Sequence, residues 1–195
     1  MKHIFCIFIF LFFSLMLITA QEAQEEERGL LVEIGAGPSV ITYGAADAYF
    51  SLAEENGANR VQLNLHALFG YAVATDLYLC GVISGAADRF TYSSQYLQMN
   101  IYILGAGVRY YPFTTGLVLG ADFGASPFLI QTNTSSPYMQ SGVTASGLGF
   151  NISLGYDFGQ SLTGFALKTG IRASATTLEG SIISSGSFVV TLVWK

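Results

Sequence analysis

The segment GLGFNISLGYDF, residues 147–158, alternates large apolar residues with small or polar ones without interruption. Its even positions carry Leu, Phe, Ile and Tyr, and its odd positions carry Gly, Asn, Ser and Asp. Because successive side chains of a β-strand point to opposite faces of the sheet, this period of two predicts a strand with two chemically different faces. A large apolar face opposite a small polar one suits a strand with lipid outside and a crowded polar interior.

A secretory signal peptide is predicted at the start of the chain. The largely apolar run from Ile4 to Ile18 follows a basic start and precedes a small residue at Ala20. About 15 such residues are fewer than the roughly 20 that a spanning helix needs, so cleavage is favoured over an uncleaved anchor. We therefore expect a signal peptide over residues 1–20, an acidic leader over 21–28 and one domain over 29–195.

Composition favours a membrane protein without a spanning helix. Only 11% of the residues are charged and the mean hydropathy is +0.48, whereas roughly a quarter of the residues in an average soluble domain are charged. Past Ile18 no apolar stretch approaches helix-spanning length. Besides the α-helix, the structure that satisfies its backbone hydrogen bonds inside a bilayer is a closed β-barrel. The formal net charge of −5 and the scattered basic residues exclude a nucleic-acid interface.

Eight alternating segments follow along the predicted domain. Together they predict an all-β, eight-stranded, antiparallel up-and-down transmembrane β-barrel. The segments are 30–43, 60–73, 77–86, 96–111, 116–125, 147–158, 165–175 and 186–194. Long polar connections after the first, third, fifth and seventh segments alternate with short turns after the others, which is typical of bacterial outer-membrane barrels. In the fourth segment the parity of the apolar residues switches near Gly105, which predicts a β-bulge there.

A soluble lipocalin-like barrel is the main alternative fold. It also has eight alternating strands, but it places the large apolar residues inside around a ligand. Here the polar parity consists mainly of Gly, Ser, Asn and Gln with few charges, a poor surface for contact with water. Aromatic residues near the predicted strand ends, such as Tyr43, Tyr71 and Trp194, fit the interfacial girdles of a bilayer barrel. The membrane barrel is therefore favoured.

Two segments carry a family resemblance. GAGVRYYP, residues 105–112, is similar to the glycine-rich strand ending in Arg-Tyr-Tyr of small eight-stranded outer-membrane barrels. The chain resembles this family, which includes the OmpA transmembrane domain and the OmpX and Ail-like proteins, over essentially all of residues 29–195. The resemblance implies Gram-negative export, an outer-membrane location with lipid around the wall, and recognition of the last strand by the barrel-assembly machinery. The residues concerned in that strand are Phe188, Val190, Leu192 and Trp194, although Lys195 follows the aromatic residue.

The polar and charged residues that alternate with the large apolar ones are predicted to form a network inside the barrel. Its members are Glu33, Asn64, His66, Asp122, Asp157, Lys168 and Arg172. Opposite charges that share a lumen are expected to pair, either as a structural network or as the lining of an ion path. Because side chains fill a barrel of eight strands, the structural interpretation is favoured and a wide pore is not expected.

No catalytic, cofactor or metal site is predicted. Behind the signal peptide the chain has one histidine, His66, and one cysteine, Cys80, too few for a transition-metal cage, and any catalytic triad would depend on His66. Cys80 is expected to fill apolar space on a wall strand. Paired glycines at 35–37, 105–107 and 147–149 fall within strands, where they make room on the inner face rather than forming a nucleotide loop.

Function is expected to lie in the long loops, because the fold alone does not supply one. The leading hypothesis is a non-enzymatic outer-membrane protein with a structural role in the envelope, or with loops that bind an extracellular partner or mediate adhesion. A narrow passive channel for ions or small solutes is the first alternative. A lipid-modifying outer-membrane enzyme is the second, and it would have to use His66.

Overall fold

Eight antiparallel strands close into a single barrel in the computed structural model of the chain. The structure describes residues 29–133, 141–159, 164–178 and 180–195, so the signal peptide and leader predicted over residues 1–28 lie outside the described residues. The strands are β1 Leu30–Thr42, β2 Asn59–Ala74, β3 Leu77–Tyr92, β4 Gln95–Tyr110, β5 Leu117–Thr132, β6 Gly142–Asp157, β7 Phe165–Leu178 and β8 Ser181–Trp194. The eight-stranded up-and-down barrel predicted from the sequence is confirmed.

The barrel closes because the first and last strands pair with each other. β1 is antiparallel to β8, with Val32 opposite Trp194 and Ala36 opposite Val190. Every other strand pairs with its neighbours in sequence. The start of β1 and the end of β8 therefore meet at one end of the barrel, which we call the termini end.

The outer face of the wall is apolar. Along β6, Phe150 and Ile152 are exposed, whereas Asn151 between them is buried in the lumen. The same arrangement extends around the barrel. Exposed large apolar residues on the wall include Ile34, Leu65, Phe69, Ile83, Phe123, Leu154, Ile171, Phe188 and Leu192. A lipocalin-like barrel would hold these side chains inside, so that alternative is excluded, and the surface suits contact with lipid.

The strands are longer than predicted, and the predicted alternation of long and short connections is wrong. β3 and β4 continue to the pair Tyr92 and Gln95 and are joined by two residues, Ser93 and Ser94. Two residues also join β7 to β8, and the predicted loop over 126–145 shrinks to residues 133–141. A bilayer strand needs only about 9 to 11 residues, so strands of 16 residues project beyond the lipid. There the outer face meets water, and the apolar alternation that marks a strand is lost although the pairing continues.

Among the described residues, the connection between β1 and β2 is the one that contains helical structure. It holds a 3₁₀ turn over Gly44–Ala46 and a helix, α1, over Asp47–Glu55. The ring of Phe50 on α1 stacks on Phe90 of β3 with centroids 5.1 Å apart and lies 4.9 Å from the ring of Tyr43. We call this end of the barrel the α1 end. In the part of the chain that the structure describes, no helix is long and apolar enough to cross a membrane.

The β-bulge predicted in β4 is also absent. β4 keeps one register with β3, from Gln95 opposite Tyr92 to Tyr110 opposite Leu77. The apolar side chains that shift parity, Met99, Ile101 and Ile103, are buried within the barrel. The change therefore lies in the chemistry of the inner face, which is apolar toward the α1 end and polar farther along, and not in the backbone.

Candidate functional site

The lumen is filled by two apolar clusters with a polar region between them. The cluster at the termini end consists of Leu31, Leu68, Cys80, Val82, Ala166 and Val193, packed against Tyr78. The cluster at the α1 end consists of Ile41, Ala86, Ile101, Leu178 and Ile183. Both clusters are contributed by inward-facing residues of several strands. Cys80 lies in the first, as the sequence predicted for a residue that fills apolar space.

Glu33 is the centre of the polar region. Its carboxylate forms an ion pair with Lys168 and lies 3.9 Å from Nε of Arg109 and 4.0 Å from Nε2 of His66. Glu33 and Arg109 are fully buried. A buried carboxylate of this kind is tolerated only when cations and hydrogen-bond donors surround it.

Arg109 links Glu33 to Asp122. Its guanidinium donates from Nη1 to Oδ1 of Asp122 at 2.5 Å and from Nη2 to Oδ2 at 3.2 Å, a bidentate arrangement. Asn151 continues the network by donating from Nδ2 to Oγ of Ser84 at 2.6 Å and to Oδ2 of Asp122 at 3.4 Å. Arg109 was not predicted as a member of the network, although it lies in the GAGVRYYP segment and on the same parity as Gly105 and Gly107.

His66 is placed for a structural role. Its Nε2 lies 3.2 Å from Oγ1 of Thr191, and the side chain is buried in the lumen beside Glu33. Asn64 is buried on the same face of β2. A substrate would have to pass an apolar cluster to reach this imidazole, which does not suit a catalytic base. Among the residues described, no group of three or more His, Cys, Asp and Glu side chains could hold a metal ion.

Asp157 belongs to a separate group at the termini end. Its carboxylate accepts hydrogen bonds from the Tyr111 hydroxyl at 3.3 Å and from the backbone N–H of Gly159 at 2.9 Å, and it pairs with Nζ of Lys195 at 2.7 Å. Burial, together with the nearby carboxylates, raises the pKa of Tyr111 above its ordinary value, so the phenol remains a proton donor. Asp157 thus does not pair with Lys168, which lies opposite it on β7.

A third group closes the lumen at the α1 end. Arg60 donates from Nε and Nη2 to the buried carboxylate of Asp88, at 3.0 and 2.7 Å, and Gln62 donates to the same group at 3.1 Å. The Arg60 guanidinium carbon also lies 4.8 Å from the centroid of the Phe90 ring. Asp88 was missed because its segment was assigned to a loop, whereas it lies on the inner face of β3.

Glycines on the inner face leave space for these side chains. A Cβ atom at Gly35 would overlap the His66 ring, and one at Gly107 would overlap the Asp122 carboxylate. The interpretation of these glycines as space-making residues is confirmed. The lumen is packed so closely that a single methyl group at either position would displace a member of the charged network.

Little free volume remains inside. Two lumenal cavities among the described residues have volumes of about 20 Å³ and about 10 Å³, and a single water molecule needs at least roughly 10 to 15 Å³.

The residues of the predicted network are brought together only in part. Glu33, His66, Asp122 and Lys168 lie close to one another, Asp157 lies apart, and Arg172 has no carboxylate partner within ion-pair distance among the described residues.

The comparisons with known proteins agree with this architecture. The structure is similar to that of Ail, the attachment invasion locus protein of Yersinia pestis, with a TM-score of 0.57 and 15% identity, covering 87% of this chain and 100% of that one. It is also similar to Neisserial surface protein A, with a TM-score of 0.54 and 13% identity, covering 87% and 99%. No protein-family model and no curated protein matches the sequence. These likenesses concern the fold: the chain is a small, closed, eight-stranded antiparallel barrel like those two proteins, as its resemblance predicted.

Proposed function

We propose that this protein is a non-enzymatic, non-conducting outer-membrane barrel that acts through the surface at its α1 end. The observation that carries the proposal is the lumen, which among the described residues is occupied by an apolar cluster toward each end and a charged network between them. An interior of this kind serves as a rigid support. Contact with other molecules then falls to the ends of the barrel.

Export and insertion are part of the proposal. We infer that residues 1–20 direct secretion, that the termini end faces the periplasm, and that the α1 end faces outward. Phe188, Val190, Leu192 and Trp194 all point outward on β8, where the barrel-assembly machinery could contact them. Their role in assembly remains a prediction, supported by the position of β8 as the strand that closes the barrel.

The outward surface is organised by α1. Tyr49 and Leu52, three residues apart and so on neighbouring positions of the helix surface, are 76% and 56% exposed. Phe50 holds the helix down through its contacts with Tyr43 and Phe90. A rigidly held pair of apolar side chains is the type of anchor that dominates binding energy at protein interfaces. We therefore propose that this pair binds an extracellular partner.

The charges on α1 indicate the kind of partner. Asp47, Glu54 and Glu55 give the helix three carboxylates and no basic residue. Ail has been crystallised with the heparin analogue sucrose octasulfate, but an acidic helix repels such polyanions. The partner proposed here is a protein surface with apolar and basic groups.

The double substitution Tyr49→Ser/Leu52→Ser tests the role of α1. We expect adhesion of bacteria that display the protein to cultured cells or immobilised matrix proteins to fall about tenfold, since loss of an interface anchor costs about 1 to 2 kcal/mol. Ser51→Ala, on the same helix, is the matched control and is expected to leave adhesion unchanged. Equal adhesion of cells with and without the protein, or of the wild type and the double variant, would contradict the proposal.

A narrow channel is the second candidate, favoured by the charged middle of the lumen. Planar-bilayer recording of the refolded protein separates the two. We expect no stable single-channel steps from the wild type, because both ends of the lumen are closed by apolar clusters. Reproducible steps whose size changes in Asp157→Asn or Lys168→Met would establish a channel and overturn the non-conducting proposal.

A further inference from the structure

Arg172 is a buried cation with no carboxylate within ion-pair distance among the described residues. Each of four buried carboxylates in the lumen has a basic partner. The pairs are Glu33 with Lys168, Asp88 with Arg60, Asp122 with Arg109, and Asp157 with Lys195. Arg172 on β7 is only 4% exposed, and among the described residues its Nε and Nη1 have no hydrogen-bond acceptor. A buried charge without a directly bound partner is unfavourable, so a negative group in contact with this guanidinium would stabilise the folded barrel.

A small cavity adjoins this guanidinium. Its polar lining comes from His66, Ser153, Lys168, Arg172 and Thr191, and the rest of the lining is apolar side chain or glycine. The two charged residues among them are both cations, and no carboxylate contributes to the lining. Of these two cations, Lys168 is paired with Glu33, whereas Asp122 and Glu33 act on Arg172 only from beyond ion-pair distance. The cavity therefore borders one cation, Arg172, to which no negative group of the described residues is directly bound.

We propose that this cavity binds a monovalent inorganic anion of about the size of chloride, held by Nε and Nη1 of Arg172. A water molecule would accept one hydrogen bond from the guanidinium but would leave its charge uncompensated, whereas an anion satisfies both the donors and the charge. The volume of about 10 Å³ is at the lower limit for one water molecule. Among common anions a halide therefore requires the smallest outward movement of the lining side chains, whereas sulfate, phosphate and carboxylic acids require far more. The hydroxyl groups of Ser153 and Thr191, which can rotate, supply further donors.

The anion would act as a structural ligand of the folded barrel. Arg172, Ser153 and Thr191 come from β7, β6 and β8, so one ion would join three neighbouring strands from inside. Because the unfolded chain does not form the cavity, binding shifts the equilibrium toward the folded state by an amount that grows with anion concentration. This role is independent of any partner at the α1 end.

The test compares chloride with gluconate, which is too large for the cavity, at equal ionic strength during refolding and heating. The readout is the temperature at which half of the folded electrophoretic band is lost. Above the Kd, each tenfold increase in chloride is expected to raise this temperature by about 3 to 6 °C for the wild type and to leave Arg172→Gln unchanged. Arg89→Gln is the matched control, because Arg89 is exposed and stacks on Tyr96 at 4.7 Å; it should keep the wild-type response. An equal response in chloride and gluconate, or a full chloride response in Arg172→Gln, would overturn the proposal.

Bromide supplies a second measurement that does not depend on the folding of a variant. Crystals of the wild-type protein grown in bromide are expected to show an anomalous scattering peak within hydrogen-bond distance of Nε or Nη1 of Arg172. The absence of a peak in this cavity at saturating bromide would mean that water alone solvates the guanidinium, and it would overturn the proposal.

Discussion

Glu33→Gln is expected to destabilise the barrel by about 3 to 5 kcal/mol, the usual result of removing one partner from a buried charge network. The substitution preserves the size of the side chain but leaves Lys168 without its ion-pair partner and weakens the field around Arg109. Urea titration of the protein in lipid vesicles, followed by circular dichroism and electrophoretic mobility, measures the loss. A decrease below about 1 kcal/mol would show that the network is not important for stability.

A double-mutant cycle separates the ion pair from general disruption. Lys168→Met removes the cation that Glu33 binds, so the cost of Glu33→Gln in that background should fall well below its cost in the wild type. Ser51→Ala on α1 is the control for variation between preparations, and it is expected to leave the free energy of unfolding unchanged because Ser51 is far from the lumen. Strict additivity of the Glu33 and Lys168 substitutions would contradict a direct interaction between them.

Gly105→Ala is expected to cost about 3 kcal/mol or to prevent folding. Gly105 on β4 lies opposite Gly124 on β5, and a Cβ atom at Gly105 would overlap the carbonyl of Phe123 and lie 2.5 Å from Cα of Gly124. Since the obstacle is backbone, no side chain can move aside to relieve it. The yield of heat-modifiable folded protein and its urea midpoint give the effect.

Gly81→Ala is the matched control for this substitution. Gly81 lies on the outer face of β3, and the nearest atom to an added Cβ there is the Phe69 carbonyl oxygen at 4.0 Å. The change from glycine to alanine then acts mainly on the unfolded chain, and we expect a shift within about 1 kcal/mol. If both variants behaved alike, close approach of β4 and β5 would not be the reason for glycine at 105.

The sequence is informative about the wall because lipid makes the contrast between the two faces large. In β6 the alternation alone assigns every apolar position from Leu148 to Phe158 to the outside, and Asn151 and Asp157 to the inside, and the barrel places them there. The same contrast is missing where strands leave the bilayer. Beside Asp88 the outer face carries Arg89 and Thr91, and near Ser184 two isoleucines are followed by two serines, so apolar and polar residues do not alternate at either place. Strands that are paired there through the backbone therefore resemble loops in the sequence.

The ion pairs and side-chain directions within the lumen were harder to predict from the sequence. A bulge was expected in β4 because apolar residues were assumed to face lipid throughout, and that assumption concealed the inward direction of Arg109. In the structure Ile101 and Ile103 face inward with it. The pairing of Asp157 with Lys195 depends on side-chain geometry across strands that are not adjacent. The same holds for Arg172, which has no carboxylate within ion-pair distance in the described part of the chain. A parity pattern contains no information about such distances.

Trp194 is an intrinsic fluorescent probe of this barrel. It is the single tryptophan of the chain, and it lies on β8 opposite Val32 of β1 and Phe165 of β7, with its side chain partly exposed on the outer wall. Hairpins elsewhere can form without changing its surroundings, whereas the meeting of the first and last strands brings Val32 beside it. The emission of this indole therefore reports the closure of the cylinder itself, and the order of events during insertion can be followed without attaching a dye.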